Sequence, residues 1–333
     1  MELDVNNQGK TPFIQHPDFS ALGYQVIREL GRNQQGGRIT YLADLKKSPQ
    51  QVVIKEFSLA HAGADWLGIT AYEREVQILQ KLNHPRIPRY IDTFTTSTGF
   101  YIVQEYKNAP SLASIQNLYP EAIKQIAVSV LEILVYLQQR VDTIIHRDIK
   151  PENILVDEQF NAYLIDFDLA HIQGEKMALS SLASGTPGFM PPEEHLGQSF
   201  SPASDLYSVG ATLIYLLAKT HSLNISQLID GHYRFNLQQF PTLNPRFRYW
   251  LTRMVEPKWQ YRYPNAAAAL AALEPIQVIG SGSFIESLMA LVRSRKQNII
   301  IGIAIIGVLA AAGITLIISQ QDSIAQQTQE MGD

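Results

Sequence analysis

The chain has 333 residues, 46% of them hydrophobic, enough for one domain with a sizeable core and a smaller appendage. A formal net charge of −4 supplies no basic field for nucleic acid, so no nucleic-acid partner is expected. With no cysteine in the chain, disulfides and thiolate-held zinc are excluded, which fits a reducing compartment.

In chain order, residues 1–23 form a short lead; Met1 to Gln15 is polar and lacks the apolar centre of a signal peptide. Strand-like segments follow at Tyr24 to Asp44 and Gln51 to Phe57, then a helical stretch from Ala71 to Leu82. Thr93 to Glu105 reads as two strands about a Ser97-Thr98-Gly99 turn. Helical periods then dominate at Glu121 to Gln139, Ser204 to Leu217 and Arg246 to Val255, and the Ala266 to Ala272 run is a good helix former. The apolar runs Ile144-Ile145 and Ala162-Tyr163-Leu164-Ile165 predict short buried strands. No internal repeat is present.

Each of those two runs ends on chemistry. His146 to Asn153 reads HRDIKPEN, and Asp166-Phe167-Asp168 follows the second run. Phosphoryl transfer requires a carboxylate at the acceptor hydroxyl, a cation near the moving phosphate, and oxygen ligands for magnesium. Asp148 supplies the carboxylate and Lys150 the cation, while Asn153 and Asp166 offer oxygens to the metal.

With these motifs the chain resembles a protein kinase of the serine/threonine type, found in eukaryotes and in bacterial relatives, from about Tyr24 to Leu273. The resemblance implies an α+β, bilobal fold: a small, mainly β lobe over about 24–105 and a large, mainly α lobe over about 106–273. It implies ATP with Mg2+ or Mn2+ as cofactors and proteins as substrates. Val52-Val53-Ile54-Lys55 is similar to the strand whose lysine grips the α- and β-phosphates. Glu73 and Glu75 compete as that lysine's partner, and Glu75 stands at the family's usual distance before Asn83-His84-Pro85. Glu105-Tyr106-Lys107, preceded by Gln104, resembles the hinge against adenine, which makes Glu105 and Lys107 nucleotide-binding candidates.

Ser184 to Glu193 resembles the end of the family's activation segment, where polypeptide docks; Thr186 is there a structural contact near the catalytic loop. In the family's pattern Asp205 anchors the catalytic loop's backbone and Arg262 pairs with Glu193. Lys150 with Gly185-Thr186 points to Ser/Thr as acceptor. Arg147 resembles the arginine that receives a phosphate on the activation segment, which makes Ser180, Ser181 and Ser184 candidates for autophosphorylation.

Two positions depart from the family. The glycine-rich loop reads Gly31-Arg32-Asn33-Gln34-Gln35-Gly36-Gly37, with an insertion and no second glycine where expected; Gly31, Gly36 and Gly37 are kept as phosphate-loop residues. Asp168 replaces the glycine of D-F-G, which in the family lets the backbone swing the magnesium ligand in and out; Asp accepts left-handed dihedrals at some cost, so slower switching is expected there without loss of chemistry. The alternative these departures support is a pseudokinase or weakly active membrane-tethered scaffold. A small-molecule phosphotransferase is disfavoured by the peptide-docking segment.

From Ile299 to Ile318 every residue is apolar, Gly or Thr, and at about 1.5 Å per residue a helix of this length spans a hydrocarbon layer about 30 Å thick. A transmembrane helix is expected there, after a 274–298 juxtamembrane linker holding Gly280-Ser281-Gly282-Ser283 and the apolar stripe Ile285, Leu288, Met289, Val292. Arg293, Arg295 and Lys296 precede the span, and Asp322, Glu330 and Asp333 follow it, so a single-pass protein of the cell membrane is predicted, with its kinase domain cytoplasmic and a short tail at 319–333 outside. That tail has no room for a folded sensor. Ala304, Gly307, Ala311 and Thr315 share one helical face, which predicts a homodimer through the span.

Overall fold

The structure, a computed structural model, describes residues 16–33, 38–58, 66–174, 185–220, 222–240 and 242–279. β1 (Tyr24–Asn33), β2 (Arg38–Leu45), β3 (Gln51–Ser58), β4 (Tyr90–Thr95) and β5 (Gly99–Glu105) form one antiparallel sheet in the order β1-β2-β3-β5-β4. The two-residue period of a strand divides β3. Val52 and Ile54 join Phe19, Tyr24, Tyr41 and Tyr101 in an aromatic-rich core on one face. Glu56 shares that face and is buried, its carboxylate accepting from Tyr41 Oη at 2.8 Å and Tyr101 Oη at 3.3 Å. Lys55 and Phe57 point to the opposite face, toward α1 (Trp66–Lys81), where Phe57 meets Tyr72 ring to ring at 5.4 Å. This helix starts at Trp66 rather than Ala71, because Gly68 and Thr70, weak helix formers, obscure its first turns in the sequence.

The large lobe is built from α2 (Pro120–Gln138), α3 (Pro192–His195), α4 (Pro202–Ala218), α5 (Pro245–Met254) and α6 (Ala266–Leu273). Proline opens α2, α3, α4 and α5, where its missing N–H leaves no bond unmade. At the start of α4 Ser204 Oγ accepts from the Ser201 N–H at 3.1 Å, while Asn244 and Asn265 cap α5 and α6. Leu134, Leu213, Phe247 and Trp250 are fully buried in the shared core, and Trp250 donates its indole N–H to the Ala269 carbonyl at 2.9 Å, tying α5 to α6.

Two short ladders set the geometry between the lobes. β6 (Ile144–Ile145) pairs with β9 (His171–Ile172), and β7 (Ile154–Val156) pairs with β8 (Ala162–Leu164). The loop carrying His146 to Asn153 and the loop carrying Asp166 to Asp168 therefore emerge side by side. Two residues, one of them a histidine, give no period, so nothing in the sequence pattern marks β9.

The chain stays packed on the large lobe beyond the predicted boundary at 273, and the compact unit ends at Ile279. Lys124 Nζ donates to the carbonyls of Glu274 at 2.8 Å and Ile276 at 2.5 Å, the Asn244 N–H donates to Val278 O at 2.8 Å, and Val278 is buried. Among the described residues no helix is long and apolar enough to cross a membrane; the expected span at 299–318 lies outside them, as do the small-residue face, the 280–298 part of the linker and the 319–333 tail.

Candidate active site

Lys55 projects from β3 into the cleft, where its Nζ lies 2.7 Å from Glu75 Oε1 on α1 and 2.6 Å from Asp166 Oδ1. Burial alone pushes the ammonium down, but Asp166 first and Glu75 next outweigh it and raise Lys55 above its ordinary value. Burial likewise works to raise Asp166; Lys55, aided by Arg38 and Lys150, overcomes it and holds the carboxyl down at about 2. Glu73, the competing glutamate, has no bond to Lys55 among the described residues.

Asp148 is the centre of a second cluster. Its Oδ2 accepts from Lys150 Nζ at 2.7 Å and Asn153 Nδ2 at 2.8 Å, and Oδ1 accepts from Thr186 Oγ1 at 3.3 Å. Lys150 Nζ also donates to Thr186 Oγ1 at 2.9 Å, so the four residues form one hydrogen-bonded set. The Asp148 carboxylate is thereby held in place, nearly buried at 7% exposed.

Below this set the backbone is clamped. Asp205, buried at the start of α4, accepts from the N–H of His146 and of Arg147, both at 2.9 Å. Burial pushes Asp205 up to about 6, against these two amide donors. His146 accepts from the Asp148 N–H at Nδ1, 3.3 Å, and donates Nε2–H to the Ile165 carbonyl at 3.1 Å, linking the two loops as a neutral imidazole. Burial holds it in that form by pushing it down to about 4. Arg262 grips Glu193 with two bonds of 2.7 Å, and Ser204 Oγ donates to the same carboxylate at 2.8 Å.

The donor set fits a hard divalent cation. Asp148, Asp166 and Asp168 each bring a carboxylate oxygen within 4.8 Å of the others; the Asp148 oxygens are taken by Lys150, Asn153 and Thr186, so Asp166 and Asp168 are the acids left for a cation such as Mg2+ or Mn2+. Asn153 directs its amide nitrogen to Asp148, leaving its oxygen as the remaining donor. Asp168 Oδ1 is buried with no hydrogen-bond partner among the described residues. Cations from the small lobe (Arg32, Arg38, Lys55), with the Lys55 partner Glu75, and acids from the large lobe (Asp166, Asp168) line one cavity with Gly31. That layering suits a triphosphate lying over a metal.

Several expectations change. Gly31, expected in the phosphate loop, lies in β1 opposite Thr40, next to a strand irregularity, and lines the cavity with Lys55 and Asp166. Gly36 and Gly37, like Ser180, Ser181 and Ser184, lie outside the described residues. The side chains of Glu105 and Lys107 fasten the hinge to itself, Lys107 Nζ donating to Glu105 Oε1 at 2.8 Å and to Pro85 O at 2.9 Å, while the Glu105 N–H donates to the Arg89 carbonyl and the Lys107 carbonyl accepts from the Ala109 N–H, each at 2.9 Å. Left-handed backbone falls on Asp166, at φ 68°, and on Arg147, at φ 69°, and not on Asp168. The Asp168 carboxylate pairs with Arg38. Arg147 faces Glu194 at 2.5 Å. Arg38, Asp168 and Glu194 are absent from the sequence-based set of site residues; the acid in the glycine's place was the only signal for any of them.

Residues 24–270 match the family model described as "Protein kinase domain". The chain is 32% identical over 292 residues to "Serine/threonine-protein kinase D" of Synechocystis sp., covering 83% of this chain and 56% of that protein. It is 31% identical over 272 residues to "Serine/threonine-protein kinase C" of the same organism, covering 75% and 49%, and 34% identical over 211 residues to "Serine/threonine-protein kinase PknA" of Nostoc sp., covering 58% and 36%. The chain thus spans about half the length, or less, of the curated relatives it matches.

Proposed function

Because this chain belongs to the protein kinase domain family, of the serine/threonine type, we propose that it transfers the γ-phosphoryl group of ATP to serine or threonine hydroxyls of proteins. The observation that carries this reading is the Asp148–Lys150–Asn153–Thr186 set lying beside the Lys55–Asp166 pair. Asp148 accepts the hydroxyl proton as the acceptor oxygen bonds to the γ-phosphorus and the bond to the β,γ-bridging oxygen breaks. Lys150 neutralises charge beside that carboxylate, and Lys55, positioned by Glu75, orients the phosphates. Asp166 and Asn153 would hold the divalent ion, which when bound screens the phosphate charge. The test is radiolabelled ATP with the full chain in detergent and a generic protein acceptor. Label on phosphoserine or phosphothreonine is expected. Bound ATP without transfer favours the scaffold reading, and label on small-molecule acceptors alone overturns protein-kinase activity.

The second part of the reading is a membrane tether through 299–318, supported by the uninterrupted apolar run and the Arg293, Arg295, Lys296 flank that places the kinase domain in the cytoplasm. Pairing through Ala304, Gly307, Ala311 and Thr315 would make a homodimer and raise the effective concentration of one kinase domain beside the other, favouring autophosphorylation in trans at Ser180, Ser181 or Ser184. Alkaline carbonate extraction should leave the chain in the membrane pellet, and Gly307→Leu should weaken self-association there. Release into the supernatant removes the tether, and unchanged association removes the dimer.

A further inference from the structure

Arg147 sits beside Asp148 with a left-handed backbone, its N–H held by Asp205, and its guanidinium is buried among three separate parts of the large lobe. Nη2 donates to Glu194 Oε1 at 2.5 Å, Nη1 donates to the carbonyl of Leu169 at 3.4 Å, and the guanidinium carbon stands 4.1 Å over the Phe200 ring. The two side chains of the ion pair are 1% and 0% exposed. A buried guanidinium requires an anion, since leaving it uncompensated in a low-dielectric interior is among the costlier defects a fold carries. In the family's pattern such an arginine takes a phosphate from the activation segment. Here a carboxylate from α3 stands against it.

Glu194 is also held firmly. The preceding residue, Glu193, is pinned by two bonds from Arg262 and one from Ser204, so the backbone that presents Glu194 has little freedom. Its Oε2 is buried with no partner among the described residues, so its bonding to Arg147 runs through Oε1. A phosphate brought to the same guanidinium would meet a fixed carboxylate of like charge.

We propose that Glu194 is the resident counter-ion of Arg147, a positioning residue that sets the catalytic loop in its working arrangement without a phosphate on the activation segment. The inference rests on the kinase reading above and decides how that kinase is controlled. The guanidinium joins the Asp148 loop, the Leu169 carbonyl one residue past Asp168, and α3; neutralising it from within fixes all three at once. Phosphate at Ser180, Ser181 or Ser184 then has no essential part in ordering the site.

The groups facing Glu194 are Arg147 on the catalytic loop, Asp205 on α4 and Asp148, with His171 on β9 packed beyond Phe200. Burial pushes Glu194 up to about 7, Arg147 pulls it down, and Asp205 and Asp148 push it further up. As pH falls through that value the carboxylate takes a proton and Arg147 loses its counter-charge, so turnover should fall on the acid side through this residue.

The test uses the full chain in detergent, treated with a broad-specificity phosphatase until mass spectrometry finds no phosphate in 175–186, and assayed with a generic protein acceptor. The dephosphorylated wild type is expected to begin at full rate, as is Ser180→Ala/Ser181→Ala/Ser184→Ala. Glu194→Gln should lower kcat by about tenfold or more with KM for ATP within about twofold, and should lose the acid limb near neutral pH; Glu194→Asp should restore a large part of the rate. A dephosphorylated wild type that starts inactive and recovers only with segment phosphorylation overturns the proposal, and this arm decides even if Glu194→Gln does not fold. Glu194→Gln with wild-type kcat and pH profile overturns it as well. Failure of untreated wild type to transfer any phosphate strikes the kinase reading instead, a separate outcome.

Discussion

Lys55 donates to Asp166 at 2.6 Å across a separation of 111 residues, joining a strand of the small lobe to the loop that leaves β8. The same ammonium reaches Glu75 at 2.7 Å, so one cation holds β3, α1 and the second acidic loop together. Replacing Lys55 with Met should lower kcat/KM for ATP by about 10²–10³, the scale of losing one preorganised electrostatic partner. Steady-state kinetics over a range of ATP concentrations reads this directly. A value within threefold of wild type, on the order of half a kcal/mol, would show that phosphate positioning lies elsewhere.

The Arg262–Glu193 pair should matter to the fold alone. Both side chains are at most 2% exposed, and truncating Arg262 to Ala strands a buried carboxylate. A loss of about 3–5 kcal/mol is expected. Urea unfolding followed by circular dichroism measures it; a loss under 1 kcal/mol, on the scale of an exposed pair, would place the two residues in solvent.

The pair Arg38–Asp168 ties β2 to the loop that carries Asp166. Removing either partner should loosen the small lobe over the cleft. Arg38→Met and Asp168→Gly, each alone and together, should be non-additive in thermal stability by about 0.5 kcal/mol or more, as expected for residues in contact. Additive losses would mean that the two side chains do not meet in solution.

His146 gives a signed pH dependence. Its ordinary value is 6.5 and burial takes it down to about 4 in the folded chain, so the unfolded chain binds the proton first as pH falls. The stability due to a neutral, buried His146 is full above pH 6.5 and is lost as pH falls from there to about 4, by about 3 kcal/mol at the limit. Asp205 and Glu194, raised to about 6 and about 7, act with the opposite sign, since the folded chain takes up their protons first. The histidine is isolated by comparison: the Tm advantage of wild type over His146→Asn should shrink between pH 6.5 and pH 4.5. A constant difference across that interval would contradict the assignment.

What the sequence made legible was local. Asp148, Lys150 and Asn153 lie within one turn of chain, so their convergence follows from spacing, and Lys55 lies on the cleft face by strand alternation. The helices α2, α4 and α5 were readable because each carries an apolar period, though their opening prolines at 120, 202 and 245 lie one or two residues before the starts the period gives. Arg38 with Asp168, and Arg147 with Glu194, were not readable from periodicity or motif. Each pair joins residues far apart in sequence whose encounter depends on how β2, the catalytic loop and α3 are packed, and no local pattern records that. Arg147 was expected to wait for a phosphate because the arginine itself is visible in the sequence, whereas its carboxylate partner becomes visible only in three dimensions. At the hinge, Glu105 and Lys107 stand at the positions the motif gives, and their side chains turn to each other and to Pro85, a contact no motif records.

The most direct test is the separation of binding from chemistry at Asp148. Its carboxylate accepts from Lys150, Asn153 and Thr186 and is no part of the Lys55–Glu75–Asp166 contact. With Asp148→Asn, titration of ATP with Mg2+ should return a Kd within about threefold of wild type, while single-turnover phosphotransfer to a protein acceptor falls by about 10² or more. Wild-type transfer rates in that variant would contradict the account, because the proton of the acceptor hydroxyl would then be leaving to some other group.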